Sequence, residues 1–161
     1  MIKKKKFIDT NIKNKSKSIR ERIQFHNYNG ISLPLPTEIE ISESGTCNRK
    51  CSFCPRSNPD FIDKKEFITN ELHRKMCFEL KELNYFGTIR YSGFVEPMVD
   101  KNIFNLIKMA REVVPKTNIE MVTNGDPLNL ERLKKLFSSG LNKILISVYD
   151  GKEDAEKFES L

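Results

Sequence analysis

A chain of 161 residues suits one domain with a real core, and 38% hydrophobic with 31% charged residues is a globular composition. No apolar run is long enough for a membrane-spanning helix, and the basic start at Lys3–Lys6 leads into Asp9, Thr10 and Asn11 instead of a signal-peptide core, so a soluble cytoplasmic protein is expected. The net charge of +6 lies in the arm, where residues 1–25 hold nine Lys and Arg against Asp9 and Glu21 and leave 19 basic and 20 acidic residues to the remainder.

Residues 1–37 read as a basic N-terminal arm and lead-in, and residues 38–161 as the folded core. Residues 1–15 are Lys- and Asn-rich and are expected to be disordered. Phe7 and Phe25 are the only aromatics in residues 1–25, thin support for stacking on bases, so RNA is disfavoured as a partner and the arm is read as a solvated tail. Ser16 to about Asn27 is read as a short helix with Ile19 and Ile23 on one face, and Leu33-Pro34-Leu35-Pro36 as an extended approach to the core.

The first core strand is Glu38–Ser44, where Ile39 and Ile41 alternate with polar residues, and Gly45 ends it. The polar loop after it sets thiols at Cys47, Cys51 and Cys54. Clustered cysteines in a reducing compartment read as ligands before disulfides. Zinc is one reading, with Cys77 or a histidine as fourth ligand, although zinc more often takes two separated pairs. An iron-sulfur cluster is the other, and with only three protein thiolates it keeps one iron free for a further ligand. Cys77, within the first helix, reads as a small hydrophobe, and His26 and His73 as surface or edge residues on helices.

The loop runs on to Thr69, long enough to suggest a function. A helix over about 71–84 follows, with Leu72, Met76, Leu80 and Leu83 on one face. Thr88–Gly93 is the second core strand; Asp100 caps a helix with Ile103, Leu106, Ile107, Ala110 and Val114 inward, and Pro115 stops it. Asn118–Thr123 is a third strand, residues 129–138 a helix with Leu130, Leu133 and Phe137 inward, and Lys143–Val148 a fourth strand. Asp150-Gly151 then turns into an amphipathic segment carrying Ala155, Phe158 and Leu161. Four strand-then-helix units make an α/β fold with a parallel sheet and right-handed crossovers, whose ligand-binding loops gather at the carboxyl ends of the strands.

Those loops carry a resemblance. Thr46–Ser57, with Phe53 just before the third cysteine, resembles the cluster motif of the radical S-adenosylmethionine (radical SAM) enzymes. Ser92-Gly93-Phe94-Val95-Glu96-Pro97 is similar to the Gly-Gly-Glu-Pro motif after that family's second strand, with Val95 where a glycine is usual. Thr123-Asn124-Gly125 resembles the Thr-Asn-Gly after the third strand, and Ser147 to Gly151 the Ser-x-x-Asp-Gly after the fourth. The resemblance covers about residues 38–151. It implies a 4Fe-4S cluster on Cys47, Cys51 and Cys54, and S-adenosylmethionine (SAM) contacts from Phe53, Gly93, Glu96, Thr123, Asn124 and Ser147. It also implies reductive cleavage of SAM to a 5′-deoxyadenosyl radical, an electron donor such as flavodoxin or ferredoxin, and an unknown substrate, a peptide, sugar or other small molecule. The fold implied is a partial (β/α)6 TIM-like barrel. Only about four of its units are present, so a fragment, or a partner that completes the barrel, is expected. The alternative is a truncated, non-catalytic iron-sulfur or RNA-binding module.

Overall fold

The computed structural model describes residue 17, residues 19–149 and residues 151–159. The disorder expected for residues 1–15, the turn residue Asp150 and the apolar position Leu161 lie outside them. The chain divides into two compact units, Met1–Thr37 and Glu38–Leu161.

In the first unit the helix expected over 16–27 is confined to its start. Backbone at Lys17, Ile19, Arg20 and Glu21 is helical, and from Phe25 the chain is extended. Strands β1 (Phe25–Tyr28) and β2 (Ile31–Pro34) pair antiparallel as a hairpin, Tyr28 opposite Ile31. The physical cause is Asn29-Gly30, both at positive φ (50° and 82°), a two-residue turn whose twist matches paired strands. The Asn27 side chain accepts from the Gly30 N–H at 2.9 Å, and His26 accordingly sits on a strand instead of a helix.

The second unit is a four-stranded parallel sheet in the order β3 (Glu38–Ile41), β4 (Thr88–Tyr91), β5 (Asn118–Thr123) and β6 (Lys143–Ile146). Its helices are α1 (Asn70–Glu82), α2 (Ile103–Val113), α3 (Leu130–Ser138) and α4 (Lys152–Glu159). The four-unit α/β reading is therefore met, although β3, β4 and β6 are shorter than their sequence spans. Sequential parallel strands with right-handed crossovers send successive helices to one face of the sheet. On that face Ile89, Tyr91, Ile119 and Met121 are fully buried with Ile103, Leu106, Ile107 and Ala110 of α2. The opposite face is open and mixes the charged Glu38, Glu40, Arg90, Glu120 and Lys143 with the apolar Val122 and Leu145.

Caps set the helix starts. Thr69 Oγ1 accepts from Leu72 N at 3.2 Å and Asn129 Oδ1 from Arg132 N at 2.8 Å. Asp100, expected as the cap of α2, is not its N-cap: that position is Asn102, without a side-chain cap bond, and Asp100 Oδ1 instead accepts from Asn102 N at 2.8 Å in the turn before it. Two inward faces differ from the sequence reading. In α1 the buried residues are His73 and Cys77, while Leu72 is exposed; in α3 Leu136 is buried, while Leu130 and Phe137 are exposed. His73 is thus no surface residue. Its Nε2 meets the Tyr91 hydroxyl at 2.8 Å and its Nδ1 lies 3.8 Å from Cys77 Sγ, so a polar contact across the core fixes how α1 is turned. Burial lowers the His73 pKa to about 4, and the ring is neutral.

Among the described residues no helix is long and apolar enough to cross a membrane.

Candidate functional site

At the carboxyl edge of the sheet the loops after β3, β4, β5 and β6 surround a cavity of about 240 Å³. Every site residue expected from the sequence lines it: Cys47, Cys51, Cys54 and Phe53 from the first loop, Gly93 and Glu96 from the second, Thr123 and Asn124 from the third, and Ser147 from the fourth.

The cysteine loop is ordered by its return. Residues 66–68 come back beside its start, with Gly45 N donating to Glu66 O at 2.9 Å and Ile68 N to Glu43 O at 2.7 Å. Arg56, two residues past Cys54 and 4% exposed, pins the loop from inside. Its Nη1 donates to the carbonyls of Gly45 (3.2 Å) and Phe94 (3.1 Å), Nη2 pairs with the Asp63 carboxylate, and the guanidinium stacks 4.9 Å over the Phe61 ring. Nothing in the local pattern distinguishes Arg56 from the other arginines of the chain.

The second loop turns at Gly93, with φ of +120°; a Cβ there would lie 2.2 Å from Ser42 Oγ. Glycine is needed at that position. Val95, where a glycine is usual in the related motif, is not among the positive-φ residues, so its branched side chain is accommodated. Glu96 is 1% exposed and bridges three loops. Its backbone N donates to Thr46 O at 3.1 Å; Oε1 accepts from the Thr123 hydroxyl (2.6 Å) and Met98 N (3.0 Å), and Oε2 from Asn124 N (2.7 Å). Burial pushes this carboxyl's pKa up, against the pull of those three donors.

The third loop closes on the first. Asp126 takes Arg49 in a two-pronged ion pair, Nε donating to Oδ2 at 2.6 Å, and accepts from Asn48 Nδ2 at 2.8 Å. The Arg49 hydrogen bond leads in holding the Asp126 carboxyl below its ordinary pKa. Asn124 Nδ2 donates to Asn48 Oδ1 at 2.8 Å and lies 3.9 Å from Cys47 Sγ, which also receives Arg49 N at 3.4 Å. Without a bound metal, burial raises the Cys47 thiol's pKa, opposed first by that Arg49 N–H. At the other end of the rim Phe53 and Tyr149 meet with ring centroids 5.0 Å apart. Sequence reasoning missed Asn48, Arg49, Arg56, Asp63, Asp126 and Tyr149. Tyr149 alone carried a signal, lying two residues past Ser147 and therefore on the same side of an extended chain.

The donor set fits an iron-sulfur cluster held by three thiolates. Cys47, Cys51 and Cys54 ring one cavity, and Cys77, one of the fourth ligands the zinc reading offered, is on the buried face of α1 beside His73, away from that cavity's lining. Among the described residues no three His, Cys, Asp or Glu side chains are gathered about a single metal-ion position; a multinuclear cluster spreads its ligands wider than one tetrahedral ion does.

Residues 41–159 match the family model of the Radical SAM superfamily. Among curated proteins, the S-adenosyl-L-methionine-dependent 2-deoxy-scyllo-inosamine dehydrogenase of Niallia circulans is 29% identical over 113 residues, covering 70% of this chain and 45% of that protein. The GTP 3′,8-cyclase of Aquifex aeolicus is 31% identical over 121 residues, covering 74% and 37%. The crystal structure of BtrN in complex with AdoMet and 2-DOIA superposes with a TM-score of 0.72 at 26% identity, over 79% of this chain and 52% of that one. A crystal structure of SeMet BtrN in an open conformation gives 0.66 at 28% identity, covering 74% and 53%. The chain spans less than half the length of these two curated relatives.

Proposed function

Because the chain belongs to the radical SAM superfamily, whose members use a 4Fe-4S cluster and S-adenosylmethionine, we propose that it is the cluster- and SAM-binding part of a radical enzyme. Cys47, Cys51 and Cys54 would hold the cluster, and the SAM would lie between them and the loops after β4, β5 and β6. The single observation that carries this reading is the convergence of all four loops on one cavity. Held by Cys47, Cys51 and Cys54, the cluster would supply the electron for reductive cleavage of SAM, the family's source of the 5′-deoxyadenosyl radical.

The chain's own residues have three tasks. Glu96, Thr123 and Asn124 spend most of their hydrogen bonds on one another and thereby hold three loops at fixed spacing around the cavity. Preorganisation of that kind keeps a bound group within reach of its reaction partner. Ser147 and Gly93 line the cavity and would meet SAM there. Phe53 and Tyr149 put aromatic surface at the rim, shielding it from water.

The substrate class is a small molecule or a peptide; the two curated relatives are named for an inosamine and for GTP. A flavodoxin or ferredoxin would deliver the electron in a reducing cytoplasm.

The test is anaerobic reconstitution with iron and sulfide. The expected result is a cluster whose EPR signal changes on adding SAM, release of 5′-deoxyadenosine on reduction, and loss of the cluster in Cys47→Ala, Cys51→Ala or Cys54→Ala. A cluster indifferent to SAM would leave only the non-catalytic module.

A further inference from the structure

The open face of the sheet carries a row of alternating charge. Glu40, Arg90, Glu120 and Lys143 are successive cross-strand partners on β3, β4, β5 and β6. Both ends of the Arg90 guanidinium are taken, by Glu38 (2.5 Å) and Glu120 (2.9 Å), and Lys143 lies 3.7 Å from Glu120. That leaves Glu40. It makes no hydrogen bond or ion pair with any described residue, and with Glu38 and Glu120 against Arg90 and Lys143 it leaves the patch one negative charge in excess.

Glu40 also faces a space. A second cavity of about 480 Å³ is lined by Glu40, Ser42 and Arg90, and shares Ser92, Gly93, Phe94 and Val122 with the cavity beside the cysteines. The carboxylate stands at the junction: a Cβ placed on Gly93 would come 3.7 Å from Glu40 Oε1. Beside it the Ser42 hydroxyl donates to Ser92 O at 3.0 Å and keeps its own lone pairs for an incoming donor.

We propose that this second cavity is the substrate subsite and that Glu40 receives a protonated amine of a small, hydroxyl-bearing substrate. The assignment rests on the first cavity being the SAM site, since hydrogen abstraction needs the reacting carbon next to the radical and the two cavities share a wall. The excess negative charge favours an ammonium group over a phosphate ester. Ser42 supplies a neutral acceptor for a neighbouring hydroxyl.

Calorimetry with glucosamine against glucose, and with cadaverine against 1,5-pentanediol, tests this on the chain both before and after cluster loading with SAM. Each amine is expected to bind at least about tenfold more tightly than its alcohol, the worth of one charge-assisted hydrogen bond. Glu40→Gln should abolish that preference and Glu40→Asp retain part of it. Equal binding of amine and alcohol, no binding of either amine, or a preference that survives Glu40→Gln overturns the proposal. Iron content and the EPR response to SAM are read on the same samples, so a failed cluster site and a failed amine site give different results.

Discussion

The two faces of the one sheet are made by alternate residues of the same strands, yet they do different work. On the helix-covered face Ile89, Tyr91, Ile119 and Met121 are fully buried and hold the fold together. On the open face Glu40, Arg90, Glu120 and Lys143 form a charge ladder beside a cavity. A one-residue step along any strand therefore moves from stability to recognition. Changes on the covered face should alter stability and leave recognition to the folded fraction, while changes on the open face should do the reverse.

The sharpest break of that contrast is expected from Met121→Ala. Truncation of a fully buried side chain should cost about 2–5 kcal/mol in urea unfolding, while protein that remains folded should still take up its cluster. Loss of cluster uptake from folded Met121→Ala protein would show that the faces are coupled.

Glu43 and His73 come next, because they are polar islands on the apolar face. Glu43 is fully buried, its Oε2 and the Asp100 Oδ2 have no hydrogen-bond partner among the described residues, and burial pushes its pKa up to about 7. The folded protein holds that proton after the unfolded chain has lost it. The resulting stability is complete below the unfolded value of 4.5 and is lost as pH rises through about 7. Glu43→Gln should therefore stabilise the protein at pH 8 by up to about 3 kcal/mol. His73 works in the other direction: its neutral ring is favoured in the folded state, so stability is full above 6.5 and falls as pH drops toward about 4. Between pH 4.5 and 6.5 the two slopes oppose each other. Relative to the parent protein, Glu43→Gln should gain a slope rising with pH over that window and His73→Gln one falling with it, each by at most about 1.4 kcal/mol per pH unit in chemical denaturation. Unchanged slopes in both variants would contradict these assignments.

The smallest effect belongs to the open face. Lys143→Ala removes an ammonium with an exposed side chain, 3.7 Å from Glu120, and should change stability by less than about 1 kcal/mol. A larger loss would mean that the charge ladder helps to hold the strands in register.

The architecture was legible because strand and helix periodicity is local. Asn118–Thr123 was read to its residue boundaries, and the cysteine triplet with its three companion loops lay in order along the chain. The misreadings have local causes too. In α1 and α3 leucines and phenylalanines occur on more than one side, and composition does not say which side meets the sheet. At Phe25–Tyr28 the weak helical spacing was overruled by the Asn29-Gly30 turn, whose positive φ at both residues favours a hairpin.

The sequence by itself therefore determined the alternation of elements, the loop that carries three thiols, and the family those motifs resemble. Only the tertiary structure decided that Asp126 clamps Arg49 across 77 positions, that Glu96 joins three loops, that Arg56 is buried as a pin, and that Glu40 is the carboxylate left over. The reason is physical. Periodicity records which side of its own element a residue occupies, whereas a hydrogen bond between distant residues depends on strand register and loop closure, which are set when the elements pack.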